Sequence, residues 1–158
     1  MLVALATKHN WRIHQLDVKS AFLNGDLKEE VYLVHYEGFV QKGQEQLVCR
    51  LKKVIYGLKQ APRSWLIKID TFFKQQGFLK SKNDSSLYIK SDKQGNVGLI
   101  SLYVDDLIIT GGSYQLVAYI KSNLSQEFEM KDLDDLHYCL GIAFWRESGK
   151  HSSLKASM

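Results

Sequence analysis

Two adjacent aspartates, Asp105 and Asp106, interrupt apolar sequence in "GLISLYVDDLIITGG", residues 98–112. Seven mostly apolar residues precede them, and four more lead to a Gly-Gly pair. Burying an unpaired carboxylate costs several kcal/mol, so acids in such a setting are paired, exposed by a turn, or bound to a metal. Successive strand residues point to opposite faces, so this pair addresses one site only where the backbone turns. Asp17 ends a second apolar strand, "WRIHQLDV", and a turn follows it. Hard divalent cations such as Mg²⁺ take carboxylate oxygens and keep waters for substrate phosphates. Two such ions about 3.5–4 Å apart can stabilise both the attacking and the leaving oxygen of a phosphoryl transfer. That chemistry needs two or three carboxylates gathered from different strands. The 88 residues separating Asp17 from Asp105 are compatible with neighbouring central strands but do not make them neighbours. The plainer reading of Asp-Asp is turn chemistry, since aspartate favours turns.

Between these acids lies a basic stretch. From Gln46 to Ile69 there are Arg50, Lys52, Lys53, Lys59, Arg63 and Lys68, with no acidic residue and with Tyr56 and Trp65 interleaved. Charge for phosphates and flat rings for bases are what a nucleic-acid track requires. A solvated basic face has the same composition, and the pattern alone leaves both readings open.

The elements that must position these residues are legible from period and punctuation. "LVALATKHN" has helical composition and stops at Asn10. "KSAFLNGDL" is turn-like, and "EEVYLVHY" and "EQLVCRLKK" read as strands, the latter with Lys and Arg on one face. Pro62, the only proline, sits at the first turn of a helix that Gly77 closes. In that helix Trp65, Ile69, Phe72 and Phe73 form one apolar stripe. "SSLYIKS" is a short strand, and "NVGLISLYV" and "LIITG" are two strands meeting at the aspartates as a hairpin. "SYQLVAYIKSNLSQEF" is an amphipathic helix capped by Ser113, and "LHYCLGIAFW" ends the readable structure as a strand. This order predicts an α+β domain with helices packed on one face of an antiparallel sheet.

Composition sets the outer bounds. The 158 residues, 45% hydrophobic, suit one globular domain, with a core over about 11–145 and an irregular tail over 146–158. Lys plus Arg total 21 against 17 for Asp plus Glu, and the pI near 9.0 permits a nucleic-acid partner without requiring one. Cys49 and Cys139 are far apart and form no CxxC pair, which favours a reducing, intracellular compartment over a disulfide framework or zinc site. The apolar runs fall short of the ~20 residues of a membrane span, and the N-terminus lacks the layout of a signal peptide.

Taken together, these blocks resemble the reverse transcriptase domain of copia-type LTR retrotransposon Pol polyproteins, over nearly the whole chain. "HQLDVKSAFLNGDL" resembles the first catalytic block, and "LKKVIYGLKQAPRSW" the nucleotide- and template-contacting block. "LYVDDLIITG" resembles the polymerase Tyr-x-Asp-Asp box, and "YCLGIAF" the strand-turn at the primer end. "YVDD" alone is weak, whereas the four blocks in this order are very specific. Smaller departures exist: no proline precedes Glu37-Gly38-Phe39, Ala143 replaces an acidic residue, and Leu66 stands where an aromatic is common.

The resemblance implies a polymerase palm, with fingers and thumb largely missing from this stretch. It implies that Asp17, Asp105 and Asp106 bind two Mg²⁺ ions, with Mn²⁺ as a possible substitute. Phe22 would be the steric gate against ribonucleotides, and Ala21 a backbone contact to the triphosphate. Gly57 and Lys59 would lie against template and nucleotide. Arg50, Lys52, Lys53, Tyr56 and Arg63 would follow the nucleic acid. Tyr103 would border the primer end, Gly141 would help place the 3′-hydroxyl, and Lys131 would protonate departing pyrophosphate. The implied partners are an RNA template, a DNA primer, deoxynucleoside triphosphates, and the integrase and RNase H parts of a Pol polyprotein. The implied compartment is cytoplasmic, in a virus-like particle, or nuclear. The alternative is a catalytically incompetent remnant with at most weak nucleic-acid binding. A generic metal-dependent nuclease leaves "YGLKQAP" and Phe22 unexplained.

Overall fold

The computed structural model describes every residue except 36, 37, 41, 45, 148–152 and 158, and gives the backbone alone for 146, 147 and 153–157. Two compact units emerge, one of Met1–Lys19 with Thr71–Met158 and one of Ser20–Asp70. In chain order the elements are α1 (Leu2–Lys8), β1 (Ile13–Val18), a 3₁₀ turn (Ala21–Asn24), β2 (Tyr32–Val34), β3 (Val48–Arg50) and α2 (Ala61–Gln75). There follow β4 (Leu79–Lys80), β5 (Leu87–Ser91), β6 (Val97–Tyr103), β7 (Asp106–Gly111), α3 (Tyr114–Glu127) and β8 (Met130–Asp135). The chain ends in β9 (Tyr138–Cys139), β10 (Ile142–Glu147) and β11 (Ser153–Ser157).

The first unit is built on a six-stranded sheet in the order β4-β5-β6-β7-β1-β8, antiparallel at every pairing. The expected hairpin is β6–β7, and the capped helix is α3, where Ser113 Oγ accepts the Leu116 N–H at 3.4 Å. α2 ends as expected at Gly77, whose φ of +79° suits glycine. The mixed α+β character with a mainly antiparallel sheet holds.

The placing of all helices on one face does not hold. Leu2 and Ala6 of α1 bury against Ile13, Leu87, Leu99, Leu136 and Cys139. α3 covers the opposite face, where a Cβ added at Gly98 would come within 2.8 Å of Ile120 Cδ1. Likewise a Cβ at Gly111 would meet Val117 Cγ2 at 3.2 Å. α2 reaches this second face through Phe73, stacked on Tyr88 with centroids 4.5 Å apart, and Phe72, edge-on to Phe128 at 5.3 Å. The physical reason lies in β5 and β6, which are apolar at both strand parities: Leu87 and Leu99 on one side, Tyr88 and Ile100 on the other. Such strands need cover on both sides.

Three further differences follow from local pattern. "LHYCLGIAFW" is not one strand but the β9–β10 hairpin, because Leu140 and Gly141 both turn into the left-handed region, at φ +52° and +81°. The tail expected to be irregular carries β11, paired with β10 from Ala143↔Ser157 to Glu147↔Ser153. "SLKAS" alternates with period two, and the free edge of β10 gives it a pairing partner. β8, "MKDLDD", is a strand that its polarity hides, since only pairing to β1 reveals it.

The second unit contains the 3₁₀ turn, the two-stranded β2–β3 sheet and α2 as far as Asp70. β3 ends at Arg50, so Lys52 and Lys53 follow the strand instead of lying on its face. Trp65 and Ile69 of the α2 stripe are buried. Cys49 is exposed and Cys139 buried, both as free thiols. Among the described residues no helix is long and apolar enough to cross a membrane.

Candidate active site

The β6–β7 hairpin closes on the pair Tyr103↔Asp106, leaving Val104 and Asp105 as a two-residue tip. Val104 has φ +55°, a conformation that a β-branched residue adopts only under strain. The tip is fixed to the next strand, because the Val18 N–H donates to the Asp105 carbonyl at 2.9 Å. β7 lies directly beside β1, and their register sets Asp106 opposite Asp17. On the other side of β1, Lys131 of β8 stands opposite Asp17. Residues directly opposite in an antiparallel pair share a face, so Asp106, Asp17 and Lys131 form a row across three strands. Gln15, two positions before Asp17 on that face, donates from Nε2 to Asp106 Oδ1 at 3.0 Å.

The electrostatics agree with this row. The Asp17 carboxyl is held above its ordinary pKa, chiefly by burial and then by the nearby charges of Asp105 and Asp106, with Lys131 opposing. The Cys139 thiol is likewise pushed up, first by burial and then by Asp106. Three half-buried carboxylates that repel one another offer the oxygen donors and charge that a hard divalent cation takes. Among the described residues no group of three or more His, Cys, Asp or Glu side chains is placed to hold a metal ion by itself. In type, carboxylate oxygens are the donors that Mg²⁺ or Mn²⁺ takes, with water and substrate oxygens completing the shell.

The structure thus brings together Asp17, Asp105, Asp106 and Lys131, with Tyr103 exposed at the hairpin's closing pair. Gly141 lies in a different hairpin, at the β9–β10 turn. Gln15 was not among the residues singled out from sequence, although its period-two spacing from Asp17 puts it on the same strand face.

The remaining predicted residues belong to the second unit. Ala21 is fully buried in the 3₁₀ turn. Phe22, next to it, packs on Tyr56 with ring centroids 4.4 Å apart and planes tilted by 46°. Gly57 is exposed with φ +93° and open space where a Cβ would stand, which allows close approach of another molecule. Lys52, Lys53, Lys59 and Arg63 are exposed, while Arg50 Nη2 pairs with Glu30 Oε1 at 2.6 Å. Arg63 also lines an open cleft of about 290 Å³ with Asp26, Lys28, Glu29 and Gln60.

Comparison with known proteins gives these arrangements a family. The model of the family described as reverse transcriptase (RNA-dependent DNA polymerase) matches residues 1–157. The retrovirus-related Pol polyprotein from transposon TNT 1-94 of Nicotiana tabacum is 44% identical over 146 residues, covering 92% of this chain and 11% of that protein. Those from transposons RE2 and RE1 of Arabidopsis thaliana are 43% and 40% identical, covering 90% and 97% of this chain and 10% of each relative. The chain thus spans about a tenth of the length of these relatives. No solved structure matches it. The chain belongs to the reverse transcriptase family, in the branch of copia-type retrotransposon Pol polyproteins.

Proposed function

We propose that this chain is the catalytic core of an RNA-directed DNA polymerase and that its six-stranded sheet is the polymerase palm. The observation that carries the reading is the register of β1 against β7. It sets Asp17 opposite Asp106, while the tip bearing Asp105 is bonded to the end of β1. The carboxylates converge there with one lysine, Lys131, in the same row, and that single charge leaves negative charge over for a cation to take up.

Asp17, Asp105 and Asp106 would hold the divalent ions, Mg²⁺ or Mn²⁺. Bound there, such ions would supply Lewis acidity toward the phosphate and a lowered pKa for an attacking hydroxyl. The chain's own groups do the rest. Lys131, exposed and opposite Asp17, carries a proton and a positive charge toward the leaving pyrophosphate. Tyr103 borders the primer terminus beside the hairpin tip. Gly141, its backbone free of a side chain, lets the primer strand approach. Phe22, braced by Tyr56, presents the ring that a ribose 2′-hydroxyl would strike, and the buried Ala21 contributes its backbone to the triphosphate. Gly57 and Lys59 contact nucleotide and template, and Arg50, Lys52, Lys53 and Arg63 track phosphates. Pairing with the RNA template selects the base. In the cell the partners are an RNA template, a DNA primer, deoxynucleoside triphosphates and the rest of a Pol polyprotein, in the cytoplasm or nucleus.

Primer extension tests this. The purified chain, given a DNA primer on an RNA template with Mg²⁺ or Mn²⁺, is expected to add deoxynucleotides. Asp105→Asn should lower the rate by about 10³-fold, the equivalent of several kcal/mol of lost charge stabilisation. A folded wild-type chain that extends nothing would overturn the reading and leave a remnant that binds nucleic acid at most weakly.

A further inference from the structure

We infer that Gln15 is a positioning residue for Asp106, fixing which carboxylate oxygen is left for a divalent cation. The inference rests on the function proposed above and adds a residue to its site. Gln15 is 7% exposed, one of two buried polar side chains among the described residues. It stands opposite Ile108 in the β1–β7 register, which puts Asp106 on its diagonal, within reach of a long side chain. Its Nε2 donates to Asp106 Oδ1 at 3.0 Å.

The surroundings explain why an amide is needed there. Ile13 and Ile108 flank Gln15 on this face and belong to the apolar cluster beneath α1, so packing alone would favour a leucine or valine. A lysine in its place would neutralise Asp106 and compete with a cation. A glutamate would add a further negative charge to a site where the carboxylates already repel. A neutral donor does neither. It restrains the Asp106 side chain and occupies Oδ1, while the full negative charge and the second oxygen stay available. Asp106 needs that restraint because it is the first residue of β7, directly after the strained tip at Val104. At the other end of the row, Lys131 opposite Asp17 is exposed and charged. The two flanking groups therefore differ in kind: one orients a ligand and the other supplies charge. Partners that orient a metal ligand through a hydrogen bond typically change metal affinity by about 10–100-fold when removed.

Binding of Mn²⁺, followed by loss of the free-ion signal in electron paramagnetic resonance, separates the possibilities. The set is wild type, Gln15→Leu, Asp106→Ala and the double variant, with Gln15→Met as a second donor-less replacement should the leucine disturb packing. Thermal melts report whether each is folded. Gln15→Leu or Gln15→Met is expected to weaken Mn²⁺ binding about tenfold or more while the chain stays folded. In the Asp106→Ala background, which lacks the acceptor oxygen, the same replacement should add nothing, because the residue acts through Asp106. Undiminished Mn²⁺ binding in both donor-less variants would overturn the inference and leave the proposed function standing. Equal weakening with and without the Asp106 carboxylate would also overturn it. A wild-type chain whose Mn²⁺ binding ignores Asp17, Asp105 and Asp106 would overturn both.

Discussion

Asp17→Asn is expected to raise the melting temperature of the metal-free chain at neutral pH and to lower its primer extension by about 10³-fold or more. The two effects have one origin. Asp17 is half-buried and faces Asp106 across the β1–β7 ladder, and its pKa is raised by burial and by the neighbouring aspartates. A carboxyl with a raised folded pKa stabilises the fold when protonated. That contribution is complete below the unfolded value, near 3.8, and is lost as pH rises through the folded value. At neutral pH the folded chain therefore carries a carboxylate that it would hold more easily as a neutral group. Asparagine removes this burden and with it the donor that a cation needs, a trade of function for stability common at catalytic sites. Melting wild type and variant at pH 7 and pH 4 checks the claim: the gain should shrink toward acid, where the wild-type carboxyl begins to take up its proton. A variant that melts lower than wild type at neutral pH would contradict it.

Leu107→Ala should destabilise the chain by about 2–5 kcal/mol. Leu107 is fully buried in β7, next to Asp106, and pairs with Leu16 on β1 and Leu102 on β6. It points to the face opposite the aspartates, so its removal opens a cavity in the core and deletes no site group. Each kcal/mol corresponds to roughly 2–4 °C of melting temperature for a domain of this size. Leu133→Ala, on the polar strand β8 and 36% exposed, is the control, with an expected change of about 0.5 kcal/mol or less. Urea denaturation of the three proteins reads the difference. A Leu107→Ala loss no larger than that of the control would mean that β7 is not the central strand.

The parts of the fold that sequence made legible are those whose signal is local. Ser113 names its helix start, Gly77 names a helix end, and the apolar runs either side of Asp105 and Asp106 declare a hairpin. Non-local facts were hidden. That β7 lies beside β1, with Asp106 and not Asp105 opposite Asp17, is a matter of register over 89 residues of chain. β8 looks like a charged surface segment, because it is an edge strand whose exposed positions tolerate Asp and Lys. For the same reason local pattern does not set Lys131 apart from the other charged residues of β8, and its place opposite Asp17 is visible only in the ladder. α1 has seven residues, too few for its buried Leu2 and Ala6 to declare which sheet face they seek. Gln15 lies inside the block "HQLDVKSAFLNGDL" without a role of its own there, and only its burial and the hydrogen bond to Asp106 distinguish it from any other strand residue.

The central claim is that Asp17, Asp105 and Asp106 form one divalent-cation site on the sheet. Paramagnetic broadening of backbone amide signals by substoichiometric Mn²⁺, on the ¹⁵N-labelled chain, tests it most directly. The predicted result is broadening centred on Asp17, Asp105 and Asp106, extending to Tyr103 and Lys131 and abolished in Asp17→Asn. Broadening centred elsewhere, such as at Asp84 or Asp92 in the surface turns, or no localised broadening at all, would contradict the account.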